Sequence, residues 1–243
     1  MNVDDLHDLE QTYVAGRPAR PGHPWVLANM VSGLDGSAAI GGRVGELSGP
    51  VDHRLLVFLR SLADVVVVGA STVRAEGYGR VRLTAEQRDL RRAEGRSETP
   101  PLAVISRSLA FDWDLPVFAS EDGSRPIILT AAAAGDAALD VAGRHAEVVV
   151  AGDAEVDLAL ALTMLGERCG PVVLTEGGPT VLGELLARGL LDELCLTLSP
   201  VLGGDPLPIV VWPDAPRREI DLELVTLREV GGHLFLRYLV GRP

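Results

Sequence analysis

Val172-Val173-Leu174-Thr175-Glu176-Gly177-Gly178-Pro179-Thr180-Val181-Leu182-Gly183-Glu184-Leu185 is the stretch that decides the fold. Its first four residues, apolar or β-branched, read as a short buried strand. Two glycines let the backbone turn sharply and come close to another group, and Pro179 suits the first position of a helix, where its missing N–H costs nothing. Apolar residues at 181, 182, 185 and 186 keep helical spacing as far as Arg188, Gly189 is placed as a left-handed stop, and a second strand is expected at Glu193 to Leu198. A helix start behind a glycine turn presents free N–H groups and suits an anion, usually a phosphate. An ordinary βαβ crossover gives the same pattern. Glu176 weighs toward a site, because it stands at the carboxyl end of the strand, where open α/β sheets place ligands.

Working outward, Asp64-Val65-Val66-Val67-Val68-Gly69 is a fully buried strand of the kind found inside a parallel sheet. Gly69, Ser71 and Thr72 then open a helical turn, a second phosphate-type cradle without the GxGxxG dinucleotide fingerprint. Trp25 to Val31 is the first strand, and Ser32-Gly33-Leu34-Asp35-Gly36-Ser37 breaks it, as a hairpin tip or as a ligand loop with equal weight. Ser48 or Gly49 caps a helix that begins at Pro50 and buries 51, 55, 58, 59 and 62, while Arg60 at its end suits the helix dipole. Residues 84–97 are charged and read as a solvated helix or a mobile excursion. Short strands are expected at Leu102 to Ser106, Pro126 to Thr130 and Glu147 to Val150, with helices at 131–142 and Val156 to Leu165. Leu222 to Val230 and His233 to Val240 form a hairpin on Gly231-Gly232. The expected fold class is therefore α/β: a central, mostly parallel sheet with helices on both faces and an antiparallel C-terminal hairpin. Residues 1–24 read as a polar arm that could lie on a partner subunit, and 25–243 as one domain.

Composition narrows the function classes. With 243 residues and 47% hydrophobic content the chain can bury one large core, and a net charge of −12 argues against nucleic acid and anionic membranes as partners. Any phosphorylated ligand must then be held by local arginines or backbone N–H groups. Cys169 and Cys195, with no CxxC pair, suggest neither a disulfide framework nor a metal site, and a reducing cytoplasm is expected. No apolar run approaches the roughly 20 residues of a spanning helix, and the acidic N-terminus does not read as a signal peptide.

Five of these stretches together resemble the pyrimidine reductase of riboflavin biosynthesis, the RibD C-terminal domain family, which is dihydrofolate-reductase-like in fold. Met30 to Ser37 is similar to that family's S-L-D-G-K loop, Ser48-Gly49-Pro50 to its T-G-P helix start, and Asp64 to Thr72 to its S-D-A-I-L-V-G-x-x-T segment. Thr175 to Gly183 is similar to V-E-G-G-P-x-L-x-G, and Leu191 to Gly204 to V-D-E-L…P-x-L-L-G-G. The resemblance covers about Trp25 to Leu239 and keeps the family order. It implies NADPH as hydride donor, with Gly177, Gly178, Pro179, Thr180 and Val181 on cofactor phosphates, Thr72 near the diphosphate, and Ser32 among the cofactor contacts. Ser106 and Arg107 fall on the adenosine 2′-phosphate side, where a plain loop is an equal reading. On the substrate side it implies Asn29, Ser48, Arg60, Glu176, and Arg82 or Arg80 as the second phosphate arginine; Glu76 would stand near both ligands. Glu176, Asp35 and Glu76 are the expected catalytic residues, no metal is expected, and a homodimer is implied.

The family's lysine before S-L-D-G is Asn29 here, its serine is Gly33, and the lysine after the motif is Ser37. Asn29 can hydrogen-bond but cannot supply a proton as a lysine could. The P-C-x-x-C motif of the zinc deaminase often fused to the family is absent from the sequence, and no deaminase activity is expected. The expected activity is reduction of 5-amino-6-(5-phosphoribosylamino)uracil to its ribitylamino form. A dihydrofolate or pterin reductase and a non-catalytic NADP-binding subunit are the alternatives.

Overall fold

The computed structural model describes residues 3–14, 16–17, 22–119, 125–213 and 219–241. Helix α1 (Val3–Gln11) precedes strand β1 (Trp25–Ser32), helix α2 (Pro50–Leu62), β2 (Val65–Gly69), α3 (Ala70–Glu76) and α4 (Ala85–Ala93). Next come β3 (Leu102–Ile105), β4 (Ile127–Thr130), α5 (Asp136–His145), β5 (Glu147–Val150) and α6 (Leu158–Cys169). The chain finishes through β6 (Val172–Thr175), α7 (Pro179–Ala187), β7 (Glu193–Leu198), β8 (Leu222–Val230) and β9 (His233–Val240). The nine strands form one sheet in the order β5-β4-β3-β2-β6-β1-β7-β9-β8. All pairings from β5 to β7 are parallel, and β9 closes antiparallel on β7 with β8 outside it. Gly231 and Gly232 take φ angles of 61° and 82°, the positive values a primed hairpin turn requires.

The core lies on both faces of this sheet. Leu9, Leu55, Leu59 and Ala142 pack one face with Val66, Val68 and Leu174; Leu162, Leu165, Leu182 and Leu185 pack the other with Val65, Val67 and Val173. The valine run of β2 is buried at every residue, because its two faces meet two helical layers. Strands β1 and β2 flank β6, so the carboxyl ends of three neighbouring strands open onto one crevice, the position at which open α/β sheets bind ligands. No helix among the described residues is long and apolar enough to cross a membrane.

Three expectations need correction. The helix expected at 131–142 is a 3₁₀ turn at Ala132–Ala134 and then α5, because Gly135 at φ 82° separates them. The helix expected from Val156 begins at Leu158, where Asp157 caps the N–H groups of Ala159 and Leu160. The N-terminal arm packs on its own sheet: Leu6, Leu9 and Tyr13 are buried in the core, and Arg17 reaches the wholly buried Glu193 at 2.8 Å. Glu193 also accepts from Arg237 and from Trp25 Nε1, so a buried carboxylate is paid in full by neighbours from three segments.

The charged stretch at 84–97 proves to be structural. Thr84 and Gln87 form a capping box at the start of α4. Arg91, 2% exposed, donates to the carbonyls of Ser61, Ala63 and Ser97. Arg96 donates to those of Ser61, Leu62 and Ala63 and pairs with Asp64. Helix α2 ends here, and its last carbonyls have no partners of their own within the helix. Two guanidinium groups satisfy them and fix the end of α2. Arg91→Ala is expected to cost about 2–3 kcal/mol in chemical denaturation, because buried carbonyls lose charged donors. Arg92→Ala, at an exposed pair with Asp89 and Glu98, is expected to cost less than about 0.5 kcal/mol.

Candidate functional site

The turn after β6 is held from both sides. Glu176 N–H donates to Val67 O at 3.0 Å, and Gly69 N–H donates to Gly177 O at 2.9 Å, so the ends of β6 and β2 are tied together. Gly177 has φ 86°, and the Gly177–Gly178 peptide is cis. A Cβ on Gly178 would stand 2.8 Å from Thr72 Oγ1, and one on Gly177 would stand 3.1 Å from Met30 Sδ. Only glycines permit this approach. Helix α7 starts directly behind them with Gly178 at its N-cap, Pro179 in its first turn and no side-chain cap. Its first N–H groups therefore have no partner within the helix.

Glu176 is not left open. Arg60 grips it with a bidentate fork, Nε to Oε1 and Nη2 to Oε2, both at 2.6 Å, and Tyr78 donates its hydroxyl to Oε2. The side chains of Arg60 and Glu176 are 14% and 3% exposed. Burial alone would lower the Arg60 guanidinium, but its bonds to Glu176 and that carboxylate's charge outweigh burial and hold it above its ordinary value. Burial, and then the Glu176 charge, push the Tyr78 hydroxyl well above the usual phenol range. Tyr78 therefore remains a proton-bearing donor at neutral pH. It was not singled out from the sequence, although an aromatic between Gly77 and Gly79 is an unusual pattern for a plain loop.

These groups line a cavity of about 670 Å³, within the size range of ligand pockets. Of the residues singled out from sequence, Asn29, Ser48, Arg60, Thr72, Glu76, Arg80, Glu176, Gly178, Pro179, Thr180 and Val181 border it. Gly177 completes the turn behind them. Thr72 and the start of α7 line the cavity, and Arg60, Tyr78 and Arg80 contribute cationic and phenolic groups to the same space. Glu76 accepts from Val44 N–H at 3.1 Å and so ties α3 to the loop before α2.

Five of the expected residues lie elsewhere. Ser32 is buried and donates to Gly33 O. Asp35 is a loop staple: Gly204 N–H donates to one carboxylate oxygen at 2.7 Å, and Ser37 donates N–H and hydroxyl to the other. Those bonds hold Asp35 far below the usual carboxylate range and commit both oxygens to the loop, so it does not border the cavity. Arg82 is exposed outside the cavity, which leaves Arg80 as the arginine of that segment that borders it. Ser106 Oγ accepts from Leu109 N–H, and Arg107, 72% exposed at its side chain, faces Glu155 at 3.6 Å. Two residues that the sequence did not single out as candidates, Asp52 and His53, do border the cavity. The Ser48-to-Asp52 spacing places both on one side of the helix start, the signal that could have found Asp52.

A family model described as the RibD C-terminal domain matches residues 24–236. The 2,5-diamino-6-ribosylamino-4(3H)-pyrimidinone 5′-phosphate reductase of Methanothermobacter thermautotrophicus is 31% identical over 89% of this chain and 98% of its own length. The crystal structure of a pyrimidine reductase-like protein from Corynebacterium diphtheriae superposes with a TM-score of 0.82 at 30% identity, covering 90% of this chain and 93% of that one. The riboflavin biosynthesis reductase of Saccharomyces cerevisiae shares the fold, with a TM-score of 0.70 at 19% identity over 98% of this chain and all of that one. With the glycine turn, its carboxylate and the paired arginine all inside the matched segment, the chain belongs to the RibD C-terminal domain family.

Proposed function

We propose that the protein is an NADPH-dependent reductase that converts a ribosylamino-pyrimidine 5′-phosphate into its ribitylamino form. The observation that carries this reading is the placement of the Arg60–Glu176–Tyr78 cluster in one cavity with the uncapped start of α7. Names of the matched relatives support it and point to the 2-amino pyrimidinone rather than the uracil expected from sequence.

The residues present fit a dinucleotide. Thr72 and the segment Gly177 to Val181 would hold its diphosphate, since Gly178 leaves no Cβ against Thr72 and the N–H groups behind it are free for an anion. When bound, NADPH supplies a hydride to the sugar C1′ of the ring-opened imine, and the C=N π pair becomes an N–H bond on the exocyclic nitrogen. Arg60 has donors beyond the two taken by Glu176, and with Arg80 it supplies the positive charge a sugar phosphate needs in a chain of net charge −12. Glu176 fixes the direction of that guanidinium and keeps the Tyr78 hydroxyl in place. Glu76 or a water delivers the proton to nitrogen.

A homodimer is part of this reading. Strand β8 is an outer strand of the sheet and exposes Leu222, Leu224, Val225 and Leu227, each at least 42% accessible. Apolar side chains on an unpaired edge invite a second copy of the chain. Leu224→Asp with Leu227→Asp is expected to convert a dimer into a monomer in analytical ultracentrifugation; an unchanged sedimentation coefficient would remove β8 from the interface.

Activity is tested by NADPH oxidation, followed by absorbance, with the 2,5-diamino ribosylamino-pyrimidinone phosphate and dihydrofolate offered separately. Turnover of the pyrimidine is expected. Glu176→Gln should lower kcat about 100-fold while the NADPH Kd stays within about twofold, because Arg60 loses its orientation but the glycine cradle does not change. Turnover of dihydrofolate alone would make the protein a pterin reductase. NADPH binding with no turnover of either would favour a non-catalytic binding subunit.

A further inference from the structure

His53 borders the cavity from α2 and is solvent-exposed. The other titratable groups of the lining are Asp52, Arg60, Glu76, Tyr78, Arg80 and Glu176, and the protein holds each of them. Ser48 donates to Asp52, and Glu176 accepts from Arg60 and Tyr78. Glu76 accepts from Val44 N–H, and Arg80 donates to Ala119 O. The His53 imidazole has neither a hydrogen bond nor an ion pair among the described residues; only its backbone N–H is bonded, to Gly49 O. A role in the helix does not account for it, because the dipole at a helix start opposes a cation.

His53, Leu56 and Arg60 follow one another at helical spacing and all border the cavity, so α2 turns a single stripe toward it. His53 and Arg60 are two turns apart, about 10 Å along the axis. An opened ribose 5-phosphate spans about 8 Å from phosphorus to the exocyclic nitrogen, at the reach per bond of an extended chain. A substrate laid along the stripe with its phosphate at Arg60 therefore brings that nitrogen level with His53.

Accepting the ribosylamino-pyrimidine reading above, we infer that His53 is the general acid of the reduction, giving its proton to the exocyclic nitrogen directly or through one water. Reduction forms a C1′–H bond with the hydride and moves the C=N electron pair onto nitrogen, which must then gain one proton. Protonated imidazole supplies that proton, becomes neutral, and regains a proton from the solvent to which it is exposed. The rest of the lining is less suited. Arginine does not release its proton in proteins. Tyr78 commits its proton to Glu176, and burial pushes that phenol well above its usual range. Asp52 and Glu76 are engaged as acceptors.

The experiment follows NADPH oxidation at saturating coenzyme with the 2,5-diamino ribosylamino-pyrimidinone phosphate, and measures substrate affinity by calorimetry without coenzyme. His53→Ala is expected to lower kcat about 100-fold, while KM and the calorimetric Kd change less than about threefold. His53→Gln keeps an N–H donor but releases no proton, and the same loss is expected. Free imidazole is expected to raise the rate of His53→Ala at least about 10-fold, a recovery that a merely structural loss would not show. Should His53→Ala fail to fold, His53→Gln carries the test. Wild-type kcat in either variant overturns the assignment. So does a raised KM with kcat unchanged, which would make His53 a substrate contact, and so does a loss that imidazole leaves unrestored. Each of these results, with wild type turning over the pyrimidine, leaves the reductase reading standing. No turnover by wild type overturns both.

Discussion

The buried pair between Arg60 and Glu176 joins the two halves of the site. Glu176 ends the central strand β6, and Arg60 lies in the last turn of α2, 116 residues earlier in the chain. Neither charge could be buried alone, because an unpaired ion at this depth is far costlier than a paired one. Each therefore requires the other, and their bidentate geometry fixes the end of α2 against the end of β6. Arg91 and Arg96 complete the arrangement from behind by satisfying the last carbonyls of α2. The charged segment at 84–97 thus helps to set the position of a side chain inside the cavity.

The other half of the site depends on the absence of side chains. Gly69, Gly177 and Gly178 let the ends of β2 and β6 and the start of α7 approach to a separation that a Cβ would prevent. A chain of net charge −12 repels phosphorylated ligands at long range, so binding must come from short-range features. A helix start without a side-chain cap and two cavity-lining arginines are features of that kind. Cofactor and substrate phosphates would then be held by different means: one by backbone dipoles, the other by guanidinium groups.

Much of the fold was legible because its signals are local. The valine run at 65–68 could only be an interior strand, the turn at Gly231-Gly232 carries its own hairpin signature, and the Glu176-Gly177-Gly178-Pro179 turn announced a helix start at a strand end. What was not legible depended on pairing across the chain. Arg60 reads from its position as a helix-dipole residue, and its real partner is visible only when β6 and α2 are brought together. Arg91 reads as solvated because arginines usually are. Asp35 looks like a site carboxylate between two glycines, but Gly204 and Ser37 claim both its oxygens. The arm at the N-terminus reads as one that could lie on a partner subunit because the residue that anchors it, Glu193, lies 176 positions beyond Arg17.

In the proposed reaction this cavity would bring a nicotinamide and a sugar C1′ together under the control of the Arg60–Glu176 pair. The direct measurement is a single turnover with NADPH carrying deuterium at both C4 positions, with mass spectrometry of the product. One deuterium is expected, located at C1′ of the ribityl chain, with far less of this labelled product formed by Glu176→Gln in the same time. A reduced product without deuterium, or with deuterium on the pyrimidine ring, would contradict it.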